Sequence, residues 1–214
     1  MRIEIENEKI RERKKKEYSD LVEEMDKKGY EARLEKISVL GANIFGLAVM
    51  LFVGSVSFFF FVLIHGDSAF NADHLFGLPG ISGMLIFMAV FAASIFVHEF
   101  IHGFFWHFYC KKKWESIDFG FNPKNVTPYC HCREPLKVVP YFWGSIAPTL
   151  IIGILPIILG ILLNVIFLVT FGIIGVVGGS GDLMVIFTLR KHKNSMLFDH
   201  PYEVGYAYFV KKND

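Results

Sequence analysis

An excess of charge of either sign is the first thing this sequence lacks. Its 22 Lys and Arg nearly cancel its 21 Asp and Glu, leaving a formal charge of +1. No basic surface for nucleic acid is indicated, and the Lys and Arg residues read as topology markers and a solvated face. Cysteine is scarce, with only Cys110, Cys130 and Cys132. An odd number beside Lys-rich segments does not make a disulfide framework, and reduced cytosolic thiols are the expectation. The N-terminus lacks a short apolar core with a small-residue cleavage site, so the first hydrophobic segment is expected to act as an uncleaved signal anchor. Internal repeats and low-complexity linkers are also missing, and 214 residues suit one domain better than two.

Apolar side chains are abundant. They make up 53% of the sequence, Phe alone fills 23 positions, and the mean hydropathy is +0.41. A soluble domain of this size could not bury that much apolar surface, so lipid is the expected solvent for much of it. Charge is segregated to match: residues 1–36 hold 11 Lys/Arg and 11 Asp/Glu. That segment reads as a cytosolic charged helix or helix pair, broken by Gly29. Tyr18, Leu21, Val22 and Met25 form one apolar stripe, to lie on the bilayer or against the rest of the protein.

The remainder, 37–214, reads as one membrane-embedded unit. Spans are expected at 37–64, where Asn43 is the only strongly polar side chain, and at 81–110, which ends at Lys111–Lys113. The turn-rich stretch 65–80 separates them as a loop. Residues 140–189 contain no Lys or Arg, too long a run for one span of ~20 residues and suited to two. Gly160 and Asn164 mark the turn, giving spans 140–163 and 165–189, with Pro148 and Pro156 as candidate kinks. Lys and Arg number 11 before the first span, none in 65–80, six in 111–139 and five in 190–214. The positive-inside rule then places both termini and the 111–139 segment in the cytosol of a multi-pass cell-membrane protein. The expected fold is an all-α integral-membrane bundle of about four helices, with a cytosolic N-terminal helix and a small β-hairpin on the cytosolic side.

The second span contains Val97-His98-Glu99-Phe100-Ile101-His102-Gly103, an HExxH motif. Residues four apart share a helix face, so His98 and His102 can offer two imidazoles to one ion. Glu99 is turned about 100° away, which suits a general base acting on water beside a metal rather than a ligand. Two His and a Glu could instead simply hydrogen-bond inside a bundle, but ionisable groups within a span are costly and usually mark function. His107 lies on the opposite helix face and is expected at the interface. A third ligand is needed, leaving one position open for water and substrate. Asp182, the only carboxylate between Glu134 and Asp199, is the candidate. His102 lies eight residues before Cys110 and Asp182 eight before Arg190, roughly 12 Å from the same membrane edge at 1.5 Å per residue. Glycines at 175, 178, 179 and 181 would let the two helices approach or let the last one unwind. The alternative for Asp182 is pairing with a polar neighbour such as Ser94 or Thr188.

Cys130-His131-Cys132 has too few donors, too closely spaced, to make a good metal cage, although His131 remains an alternative third ligand. Segments 117–121 and 126–132 flank the turn former Asn122-Pro123-Lys124-Asn125 as a hairpin or a simple connector. As a hairpin, its edge could pair with an extended substrate. Residues 202–210 are aromatic and β-prone. His65, His74, His192 and His200 read as surface residues.

With HEFIHG at 98–103, HCREPLKV at 131–138, Ala147-Pro148 and SGDL at 180–183, the chain resembles a bacterial family of small integral-membrane proteins known as putative zincin peptidases. The resemblance implies Zn2+ held by His98 and His102 with Glu99 as base. More distantly the layout looks like site-2 proteases, which bring a ligand Asp from a later span, here Asp182. In those enzymes the Asp precedes Gly, whereas Asp182 follows Gly181. The expected function is hydrolysis of peptide bonds in membrane-associated peptide or protein substrates, with the lipid bilayer as a partner. The alternatives are a non-catalytic scaffold with a structural metal site closed by a fourth ligand such as His131, and a metal-ion carrier.

Overall fold

The computed structural model describes residues 2–70, 80–122, 127–200 and 204–212. Its frame is a set of helices, a charged one followed by apolar ones. Helix α1 is Arg2–Lys27, α2 is Val39–His65 and α3 is Gly80–His107. Helix α4, Val138–Pro148, runs through a π-helical stretch at Thr149–Ile154 into α5, Leu155–Leu163. Helices α6, Ile166–Gly178, and α7, Ser180–Leu189, follow.

Helix α2 starts where the Ser38 hydroxyl accepts the Gly41 N–H at 3.2 Å, satisfying one of the amides a helix start leaves free. Its 27 residues extend about 40 Å, enough for a ~30 Å hydrocarbon layer. Helix α3 matches it in length. Both present large apolar side chains outward, among them Leu40, Phe52, Ile81 and Phe96. Water would not tolerate so continuous an apolar surface, whereas lipid would. Three helical stretches are long and apolar enough to cross a membrane, and α6 with α7 makes a fourth if the pair counts as one span.

The expected turn at Gly160 and Asn164 is present. Asn164 takes the left-handed conformation (φ 55°) and the Val165 N–H reaches the Gly160 carbonyl at 2.9 Å, a cap that reverses the chain between α5 and α6. Pro148 and Pro156 do not break the third span, since the π-helical stretch between them carries the helix on. The last span is not one straight helix. It bends by 51° between Gly178 and Ser180, and α7 starts afresh there. The second span is also shorter than expected. It ends at His107, where the Trp106 carbonyl accepts the N–H groups of both Tyr109 and Cys110.

Four short strands form a sheet at one end of the bundle, ordered β1-β6-β5-β4. They are β1, Tyr30–Lys36; β4, Leu136–Lys137; β5, Met196–Asp199; and β6, Gly205–Lys211. Strand β1 corrects the reading of a helical 1–36 segment. Gly29 (φ 82°) does end α1, but residues 30–36 then pair antiparallel with β6 from Tyr30–Lys211 to Lys36–Gly205. The stripe Tyr18, Leu21, Val22 and Met25 packs against Phe198 and Phe209 of that sheet rather than facing outward. A separate antiparallel hairpin joins β2, Ile117–Asn122, to β3, Thr127–Cys132, as expected at this place. The tetrapeptide proposed as its turn lies, after Asn122, outside the described residues, as do His74, most of 65–80 and the first residues of 202–210.

Strand β1 leads into α2, β4 leads into α4, β5 follows α7, and the hairpin follows α3. Both sheets therefore gather at a single end of the bundle, where Lys36, Lys111, Lys137 and Arg190 also lie. A core of Trp106, Tyr141, Leu189, Leu197 and Tyr206 ties the ends of α3, α4 and α7 to the sheet.

Candidate metal centre

Helix α4 packs against both α3 and α7 and so sets the distance between them. Across that gap the Nε2 atoms of His98 and His102 and the Oδ2 atom of Asp182 converge. The separations are 3.1 Å for His98 to Asp182, 3.1 Å between the two imidazoles and 3.5 Å for His102 to Asp182. Zinc held by four ligands at ~2.0–2.1 Å places neighbouring donor atoms roughly 3.3 Å apart, so the triangle has the size of one face of such a polyhedron. Among the described residues these three form the one group of His, Cys, Asp or Glu close enough to hold an ion.

The tautomer of His102 points the same way. Its Nδ1 lies 2.9 Å from the Gly144 carbonyl, which can only accept. Nδ1 must therefore carry the proton, so that in the neutral ring the lone pair belongs to Nε2, the atom that stands in the triangle. The ring is also stacked on Trp106, centroids 5.1 Å apart. Trp106 stacks in turn on Tyr141. Gly144 makes this possible, because a Cβ there would fall 1.9 Å from the Trp106 indole nitrogen.

Asp182 owes its place to the bend at Gly179. It sits in the first turn of α7, where unpaired amides and the helix dipole favour a negative group. A straight span would give no helix start at this depth. Counted from the observed ends, His102 lies roughly 8 Å and Asp182 roughly 10 Å from the sheet end of their helices, both shallower than the sequence spacing implied. The alternative partners for Asp182 are engaged elsewhere: Ser94 donates to the Phe91 carbonyl, and Thr188 bonds Val185 and Tyr206.

Glu99 stands beside this triangle. One carboxylate oxygen accepts the Cys130 N–H at 2.7 Å, and its side chain lines a cavity of about 150 Å3 together with His98. The Cys132 N–H points in the same direction along β3 and reaches Asp199 at 3.3 Å, while Asp199 also accepts from the Tyr141 hydroxyl at 2.5 Å. Two carboxylates thus pin the outer edge of β3 above the triangle. Sequence reading missed these supports because a backbone N–H and a carbonyl from distant segments leave no residue-type signal.

Cys130-His131-Cys132 does not join the cluster. The His131 ring is buried edge-on against Phe198, with Nδ1 3.8 Å from Asp199. Burial disfavours its charged form and holds it below the ordinary imidazole range. Burial likewise pushes the Cys130 thiol up, and Cys132 is pushed up by its neighbour Cys110, 3.3 Å away, and by burial. Thiols held protonated are poor metal ligands. His107 is stacked on Trp114 and bonded to the Phe104 carbonyl, away from the triangle.

No curated protein and no solved structure matches the chain. A family model does match, over residues 91–197. The match runs from about two turns before His98 to past Asp182 and includes the hairpin that holds Glu99. The chain belongs to the family described as putative zincin peptidase.

Proposed function

We propose that this protein is a membrane-embedded zinc metallopeptidase that hydrolyses peptide bonds in membrane-associated substrates. His98, His102 and Asp182 hold the metal and Glu99 moves the proton. The observation that carries this reading is the convergence of three metal-type donors from two non-adjacent apolar helices, beside a cavity that Glu99 also lines. A zinc ion held by these three side chains would supply Lewis acidity for the scissile carbonyl and for the activation of water.

The chain's own groups do the rest. The Gly144 carbonyl and the Trp106 ring fix the His102 imidazole, and the α7 start steadies the Asp182 carboxylate. Glu99, oriented by the Cys130 amide, takes a proton from the attacking water and returns it to the leaving amine. The outer edge of β3 spends its Cys130 and Cys132 N–H groups on Glu99 and Asp199, and Pro128 has none, so this edge orients the carboxylate and is not free to pair with a substrate strand. The layout, with HExxH in one helix and the Asp in a later one, resembles that of site-2 proteases, with the difference that Asp182 follows Gly181. A scaffold with a closed structural metal site is less well supported. Such a site needs a fourth protein ligand, and His131, the candidate for that role, is turned to Asp199 and Phe198.

The test is turnover of a membrane-segment substrate by detergent-purified, zinc-loaded protein and its Glu99→Gln variant. The variant should keep its metal and lose cleavage by about 10²–10⁴-fold. Cleavage that survives Glu99→Gln at the wild-type rate contradicts the reading.

A further inference from the structure

The cavity beside the triangle has a defined shape. Phe91, Ser94 and Ile95 of α3 form one wall, on the same helix face as His98 and one to two turns before it. Ile174, Gly175 and Gly178 of α6 form the opposite wall, and Ile152 of the π-helical stretch contributes as well. Gly175 and Gly178 bring no side chains. A Cβ at Gly178 would meet no atom within 4 Å, so Gly178 borders open space, whereas one at Gly175 would fall 2.6 Å from the Ile152 carbonyl. Missing bulk at Gly178 therefore keeps the cavity open.

Resting on the peptidase reading, we propose that this cavity is the specificity pocket for one apolar side chain of the substrate next to the scissile bond. Gly178 is the residue that sets its size. Its volume of about 150 Å3 falls below the ~300–1,000 Å3 of sites for whole small molecules. It equals the ~150 Å3 of apolar cavity known to admit a benzene-sized group. A single Leu or Phe side chain fills that volume and an intact helix exceeds it, while the exposed Phe91 and Ile95 leave the pocket open to the outside along α3. Helix α3 runs toward the sheet end, so the pocket lies on the far side of His98 from the charged face. The preferred substrate is thus a hydrophobic segment with a bulky apolar residue reaching deeper into the bilayer, and a charged residue at that position is rejected.

The test is binding of peptide hydroxamates to the purified, zinc-loaded full chain. Two series carry a methyl, isobutyl or benzyl group on one or the other side of the zinc-binding group. In one series the isobutyl and benzyl compounds should bind roughly tenfold to a hundredfold more tightly than the methyl compound. Gly178→Phe should abolish that preference with zinc content unchanged, and Gly178→Ala should keep most of it. Ser94→Phe fills the pocket from the other wall and replaces Gly178→Phe if that variant, which lies at the bend before Asp182, does not fold or loses its zinc. Equal affinities in both series, or a preference that survives both Phe variants, overturn the pocket and leave the peptidase reading standing. Failure of the wild type to hold zinc overturns both, and the metal content tells the two failures apart.

Discussion

Gly144 shows how single residues define the centre. Its carbonyl fixes the His102 tautomer, and its bare Cα leaves room for Trp106 under the imidazole. Gly144→Ala overpacks this contact. It should lower stability by about 1–3 kcal/mol and weaken zinc binding, read as a lower Tm and a lower zinc affinity; wild-type values for both would argue against the stacking as the support of His102. His131 gives a prediction in pH. Its pKa is depressed by burial in the fold, while the unfolded value is about 6.5. As pH falls below that value the unfolded chain takes up a proton that the folded chain refuses, so stability declines on the acid side. The decline stops once the pH passes below the folded pKa. Tm should therefore drop between about pH 7 and pH 5.5, less steeply in His131→Phe. An identical slope in the two proteins would remove His131 from the explanation.

Strands and breaks are where the elements depart from expectation, and each departure has a local cause. Tyr30–Lys36 is rich in Glu, Ala, Arg, Leu and Lys, all good helix formers. Only the distant partner β6 makes it a strand, and pairing over that separation leaves no trace in local propensity. Strand β4 is two residues long and too short to show a period. By contrast, the hairpin at 117–132 and β6 were legible, because aromatic and β-prone residues alternate beside turn formers. The HExxH pair was legible from spacing alone, since four residues make one helical turn. Asp182 was legible as a lone carboxylate in an apolar run, but the 51° bend that places it at a helix start was visible only as a surplus of glycine. Deleting residues 1–36 tests the weight of the misread strand. It strips β6 of one of its two partner strands and uncovers Phe198 and Phe209, so the remainder should lose thermal stability and aggregate. An unchanged Tm in the truncated chain would mean that β1 adds nothing to the fold.

Seen whole, the molecule has two chemically different ends. One gathers both sheets and the Lys and Arg residues; at the other, Gly66–Phe70 follows α2. The proposed orientation puts the basic end in the cytosol. A membrane-impermeant thiol reagent applied outside intact cells should then label Ser68→Cys and spare Lys193→Cys, with labelling of Lys193→Cys alone reversing the topology. In that frame the proposed catalytic groups sit roughly one and a half to two and a half helical turns inside the slab, reached by water from the cytosolic side and by an apolar segment from within the bilayer.

The most direct measurement is the zinc content of detergent-purified protein after dialysis against a graded chelator, wild type beside Asp182→Ala. About one equivalent per chain should remain in the wild type at chelator levels that strip the variant. Equal retention by the two proteins, or no zinc in the wild type, would contradict a metal held jointly by α3 and α7.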